Sequence, residues 1–461
     1  MRQRKVQNMT RGVIWKQILR FFFPILIGAL FQQLYNTVDA VVVGQFAGKE
    51  ALSSVGGSSA QILNFVFSFF IGLSTGSTVV IAQYFGAEQD DAVDTALHTS
   101  YLFACLCGLV LGGLGVLFTT PLLELLGTPE ELMAQSGAYI RILFGGLVFT
   151  LIFNMGSGIL RAVGDSKRPL YVLMACCLMN IVLDLLFVMQ FHLGASGAAI
   201  ATNISQAASA AAVTWLLVKK TPGMKLCLKR LRISRPMLAR ILQIGFPTAL
   251  AGSMFSISNM VIQTAINGMG VDPIAAWTAY GKVDSLWWMI DQAFSTAVVT
   301  FVGQNFGAGL ADRIERGIRE VLVMEILMAF GASLFMNTCG EFLLGLFTTD
   351  QTVVSLGSGL LRFITPFYAV YVINEVLSSA LRAEGYVMVS TVVNFVGVCI
   401  YRVCWVSLFC PEGSTMKHVL SCYPASWICI SVIMAVYYLF HQKRILAKMR
   451  GRRVEQLQSA A

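Results

Sequence analysis

The residues of this sequence best able to do chemistry are a few polar side chains set inside long apolar runs. In the first run Gln32, Tyr35, Asn36 and Asp39 recur at spacings of three and four. That spacing lines them along one face of a helix, with Pro24 upstream where a helix can bend. In the fifth run Asn180 and Asp184 are four apart and share a face. In the sixth, Thr202 follows the small residues Gly194, Gly197, Ala198 and Ala201, which let a neighbouring helix come close. Two carboxylates, an amide and a hydroxyl supply hard oxygen ligands for a small cation; the same carboxyls could instead carry protons. Asp39, Asn180, Asp184 and Thr202 are therefore the expected ion site. Gln61, Asn64 and Ser68 share a face of the second run and either line a cavity or tie helices together. Gln32, Tyr35, Asn36 and Glu375 complete the candidate cavity residues.

The elements that must position these groups follow from composition. Of 461 residues, 56% are apolar and 12% charged, with mean hydropathy +0.71, against about 25% charged in a soluble domain. These values exclude a soluble fold and a disordered chain. Runs of roughly 20 residues begin near Leu19, Gly57, Ala96, Gln135, Pro169, Gly197, Leu238, Ala275, Gly317, Val353, Tyr386 and Ser421. They are too long and too apolar for outer-membrane barrel strands, so the expected class is all-α and polytopic, with twelve transmembrane helices. The first run carries no clear small-residue cleavage site and is expected to stay as a helix.

A net charge of +9 reflects topology rather than nucleic acid. With the N-terminus inside, 27 of the 33 Lys and Arg residues fall in inside segments. Only Lys49 and Lys417 fall outside, and Arg141, Lys282, Arg362 and Arg402 fall within or at the ends of helices. The positive-inside rule then places both termini in the cytoplasm.

The chain is also two copies of one unit. Gln83-x-Phe85-Gly86-Ala87 recurs as Gln304-x-Phe306-Gly307-Ala308, Arg141 as Arg362, and Leu160-Arg161-Ala162-x-Gly164 as Leu381-Arg382-Ala383-x-Gly385, all at an offset of 221 residues. Near the start the offset is 223, pairing Pro24 with Pro247 and Asn36 with Asn259. Six helices per copy make the copies parallel repeats, an arrangement found in transporters. The expected division is residues 1–218 as the first six-helix bundle, 219–237 as a cytoplasmic linker, and 238–461 as the second bundle with a basic cytoplasmic tail. The linker, with Pro222-Gly223, reads as a solvated loop that orients the chain.

Charge inside a bilayer costs at least about 2.5 kcal/mol, so each embedded acid needs a reason. The first six helices hold no embedded base except Arg141, which leaves Asp39 and Asp184 without a structural counter-ion. The second copy differs. Ile262 stands opposite Asp39, while Lys282, Asp284, Asp291, Glu325, Glu375 and Arg402 bring acids and bases together. Structural pairing is expected there, with Glu375 the exception. Trp287, Trp288 and the Phe-rich runs could stack on a flat organic cation, although lipid contact explains most aromatics more simply. The sequence has no phosphate-binding glycine loop. Its four His lie at predicted helix ends or loops, which argues against buried haem ligation or metal chemistry. The eleven Cys lie mostly inside apolar runs. Cys410 and Cys422 flank one outside loop and could pair if oxidised, although the odd total argues against a disulfide framework and for free thiols.

In this order, Pro24…Gln32-Gln33-x-Tyr35-Asn36-x-x-Asp39…Gly44, the two repeated motifs, and Asn180-x-x-x-Asp184 followed by Gly-x-x-Gly-Ala-Ala…Thr202 resemble the multidrug and toxic compound extrusion (MATE) family, prokaryotic type, over essentially the whole chain. The resemblance implies antiport of organic, cationic or amphipathic compounds against sodium ions or protons across the cell membrane, by a monomer with no cofactor beyond the coupling ion. Asp39, Asn180, Asp184 and Thr202 match the family's first-bundle site for sodium or a proton. Some members use acids in the seventh and tenth helices instead; here the seventh has none, and Glu375 is not clearly at the family position. Two alternatives are a lipid-linked saccharide flippase of the same superfamily, typically with fourteen helices and basic cavities, and a membrane-embedded enzyme or receptor.

Overall fold

The computed structural model describes residues 8–219, 224–411 and 413–460. Arg2, Arg4, Lys5 and the linker residues Pro222 and Gly223 lie outside the described residues, as do the side chains of Lys49 and of every tail base except Arg444. Among the described residues every regular element is helical. The elements are α1 (Ile14–Val42), α2 (Gly48–Gly56), α3 (Ser58–Gly86), α4 (Asp90–Leu125), α5 (Glu130–Gly145), α6 (Leu147–Ala162), α7 (Lys167–Asp184), α8 (Gly194–Lys219), α9 (Arg235–Asn267), α10 (Val271–Gly307), α11 (Ala311–Thr338), α12 (Gly340–Gly345), α13 (Gln351–Ile364), α14 (Tyr368–Glu384), α15 (Val387–Asn394), α16 (Tyr401–Phe409), α17 (Met416–Leu420) and α18 (Cys422–Ala460). Wider π-helical turns follow α1 (Val43–Ala47), α7 (Leu185–Gln190) and α15 (Phe395–Ile400).

Among the described residues nine helical stretches are long and apolar enough to cross a membrane, and the pair α5 and α6, bent by 47°, makes a tenth. The two other stretches read from the sequence are α8 and α10, helical over 26 and 37 residues. Small and polar residues in α8, and Lys282, Asp284, Asp291 and Gln292 in α10, dilute their apolarity.

The chain forms two compact units. One holds Met1–Asn8 and Phe23–Ala249, the other Met9–Phe22 and Leu250–Ala461. The chain therefore changes unit inside α1 and inside α9, each time within a few residues of Pro24 or Pro247.

The repeated motifs now acquire physical roles. In the first unit the Gln83 side chain accepts from the Arg240 guanidinium at 2.9 Å, and the Tyr84 hydroxyl accepts from it at 2.6 Å, clasping the start of α9. In the second unit Gln304 accepts from the Met9 backbone N–H at 3.0 Å, Asn305 donates to the Met9 carbonyl at 3.2 Å, and Arg313 donates to Met9, Gly12 and Gln17. Each copy of the motif thus holds the entry to a first helix. The Leu-Arg-Ala-x-Gly repeat is a helix stop. Gly164 and Gly385 take left-handed φ values of +89° and +96°, and their N–H groups return to the Arg161 and Arg382 carbonyls at 2.8 and 3.1 Å.

The linker departs from the solvated loop expected of it. Met224 and Leu226 are buried. The Cys227 N–H donates to His98 Nε2 at 3.0 Å and the Ser234 N–H to Thr99 at 3.2 Å. His98, expected at a helix end, is itself buried inside α4. Apolar residues at alternate linker positions and a buried imidazole acceptor pin this strap to the first unit.

Candidate functional site

In the first unit α1, α7 and α8 deliver the sequence-predicted ion residues to one place. Asp184 ends α7 and runs directly into the Leu185–Gln190 π turn; Asp39 precedes the Val43–Ala47 π turn by one helical turn. The two π turns pack against each other and against α8. Such widened turns recur at functional sites because they shift the carbonyl ladder locally. Val42, Val43, Val188, Ala195, Ala198 and Ala199 share a buried apolar cluster, so the small-residue face of α8 is what lets these segments meet.

The polar contacts close the site. The Tyr35 hydroxyl lies 3.1 Å from Thr202 Oγ1. With its amide nitrogen toward Asp184, Asn180 donates to Oδ2 at 2.9 Å and accepts from the Thr202 N–H at 3.3 Å; the opposite amide rotamer would set oxygen against carboxylate. Asp184 and Asn180 are fully buried and Asp39 partly so. Among the described residues, Asp39 Oδ1 and Asp184 Oδ1 are buried with no hydrogen-bond partner, and the two acids lie close enough to act on each other's charge. Tyr139 of α5, also in electrostatic range of both acids, belongs to this cluster. No spacing in the sequence pointed to it, because α5 reaches the site only through tertiary packing. Gln32, Asn36, Gln61 and Asn64 are exposed side chains outside this buried cluster.

The second unit corrects the pairing expected there. Glu375, taken as the exception, is the acid that pairs: Arg382 donates to its Oε1 at 2.5 Å. Ser295 and Ser379 donate to the same oxygen at 2.8 and 3.1 Å, and Tyr371 donates to Oε2 at 3.4 Å. Arg382 is a half-buried residue of the last turn of α14. Among the described residues, Asp291 Oδ1 and both Glu325 carboxyl oxygens have no hydrogen-bond partner. Asp284 accepts from Tyr280 at 3.0 Å, from Trp288 at 2.6 Å and from Tyr368, while Lys282 is exposed. Arg402 packs 4.0 Å above the Tyr423 ring and donates to Ser426. Trp287 and Trp427 are buried in this aromatic shell, with Trp287 stacked on Tyr368; they are interior groups rather than a lipid-facing belt. Sequence spacing missed these arrangements because the partners lie on different helices.

Duplicated helical stretches, long and apolar enough to cross a bilayer, define a polytopic membrane protein. Comparison with known proteins agrees. The MatE family model matches residues 24–186 and 247–405, and the chain belongs to this family of efflux transporters. It is 28% identical over 453 residues to "Probable multidrug resistance protein YoeA" of Bacillus subtilis, covering 95% of this chain and 96% of that protein. It is 29% identical over 413 residues to "Probable multidrug resistance protein YpnP" of the same organism, covering 88% and 90%. Its fold matches a crystal structure described as MATE in the bent conformation with TM-score 0.89 at 21% identity, over 96% of this chain and 98% of that one.

Proposed function

We propose that the chain exports organic cations or amphipathic drugs across the cell membrane as a monomer, by antiport with sodium ions or protons bound at Asp39, Asn180, Asp184 and Thr202. The observation that carries this reading is the pair of buried oxygens, Asp39 Oδ1 and Asp184 Oδ1, without a hydrogen-bond partner among the described residues, beside an amide and a hydroxyl on three helices. A carboxylate is not left in such a place without a partner; an arriving cation or proton supplies one. The exposed Gln32, Asn36, Gln61 and Asn64 and the half-buried Tyr35 are the proposed drug-contacting residues. Ion and drug compete, so ion occupancy favours drug release outward, and the coupling is reciprocal at equilibrium. One cation moving inward through 100 mV releases about 2.3 kcal/mol, and each tenfold solute gradient costs about 1.4 kcal/mol. One ion per neutral substrate therefore sustains somewhat less than about a hundredfold gradient.

The test is drug uptake into proteoliposomes under an imposed sodium or proton gradient. Drug accumulation driven by one of these ions is expected, and movement of lipid-linked saccharide without drug transport would overturn the reading. Both termini are proposed to be cytoplasmic. An impermeant thiol reagent added to intact cells should therefore label a cysteine placed at Lys417 but not one at Arg230.

A further inference from the structure

Asp291 of α10, Glu325 of α11 and Glu375 of α14 converge inside the second unit with, among the described residues, one nearby cation, Arg382, which Glu375 takes. Asp291 and Glu325 are left with each other: they are 5% and 0% exposed, and among the described residues Asp291 Oδ1 and both Glu325 oxygens have no hydrogen-bond donor. The internal repeat supplies a control. At the 221-residue offset Ser74 and Arg161 stand opposite Ser295 and Arg382, while Phe70, Ala104 and Asn154 stand opposite Asp291, Glu325 and Glu375. Phe70 and Ala104 are fully buried core residues. The fold is thus built in one unit with apolar side chains at the places where the other unit buries two acids, so packing does not require these acids.

We propose that Asp291 and Glu325 form a proton-binding site of the second unit, separate from the first-unit ion site and independent of it. Two adjacent carboxylates removed from water without a base of their own are each costly to keep ionised and repel one another. A proton on one of them relieves both problems, because its O–H then donates to the facing carboxylate. Glu375 is engaged by Arg382 at 2.5 Å. The groups acting on the pair are Glu375 and Arg382 of α14, with Tyr371 of α14 alongside; Arg402 of α16 reaches only as far as Tyr371. The nearby guanidinium disfavours a metal ion, and among the described residues no group of three or more His, Cys, Asp or Glu is placed to hold one. The chemistry suits a proton.

The test is infrared difference spectroscopy of the protonated-carboxyl stretch through a pH titration of the purified Asp39→Asn/Asp184→Asn protein, in which the first-unit acids are silent. A protonated-carboxyl component should persist at neutral pH, and adding Glu325→Gln or Asp291→Asn should remove or shift it. Absence of the component, or its survival unchanged in both second-unit variants, overturns the proposal. If the combined variants fail to fold, single variants decide: Glu325→Gln must lose a component that Asp39→Asn keeps, and retention of every component refutes the site. Failure of the first-unit reading is a separate result, seen as normal ion-driven transport by Asp39→Asn.

Discussion

The two units share a helical plan and differ in where they bury charge. The first places Asp39 and Asp184 at the junction of α1, α7 and α8; opposite Asp39 the second has Ile262. The second places Asp291, Glu325 and Glu375 among α10, α11 and α14, where the first has Phe70, Ala104 and Asn154. Each unit is thus a control for the other. Capping glycines, clasping glutamines and the arginine before each helix stop recur because the backbone needs them. The acids do not recur, so the fold tolerates their absence. An acid buried where its counterpart is apolar costs free energy, and its presence points to work other than folding.

The largest expected effect breaks the comparison at the first-unit acids. Asp39→Asn or Asp184→Asn keeps volume and removes the charge, so ion-driven drug uptake into proteoliposomes should fall to background while the purified protein stays folded. Drug affinity, which should fall in the intact protein as the coupling ion rises, should become flat in Asp39→Asn. Affinity independent of both sodium and pH in the intact protein would exclude direct competition.

A smaller effect separates the paired arginines. Arg382→Met strands Glu375 in the interior and should cost about 3 kcal/mol, read as a lower denaturation midpoint in detergent. Arg161→Met strands no acid among the described residues, since only desolvation acts on that guanidinium, and should cost less. Equal losses would show that both arginines serve packing alone.

The smallest effect concerns the loop after the repeated Gln motif. Glu88 adopts φ +57° where the second unit has Gly309 at +68°. A side chain in this left-handed region is strained by about 1–2 kcal/mol, partly offset by the greater chain entropy of glycine. Glu88→Gly should raise stability by less than about 1 kcal/mol, whereas Gly309→Glu should lower it, both measured by thermal unfolding.

Hydropathy and run length determined the membrane class by themselves, because a bilayer imposes its thickness on every span. The duplication and the helix stops were legible too, since each rests on local backbone chemistry repeated at a fixed offset. Asn180 and Asp184 were readable as neighbours because four residues are about one helical turn. What only tertiary structure decided was everything joining separate helices: Tyr139 beside the two acids, the unit change within α1 and α9, the buried linker strap, and the choice of Glu375 rather than Asp291 or Glu325 as the partner of Arg382. Spacing along one helix fixes a face, but which faces meet depends on how small and large residues from distant segments pack, and pairing of charge follows that packing.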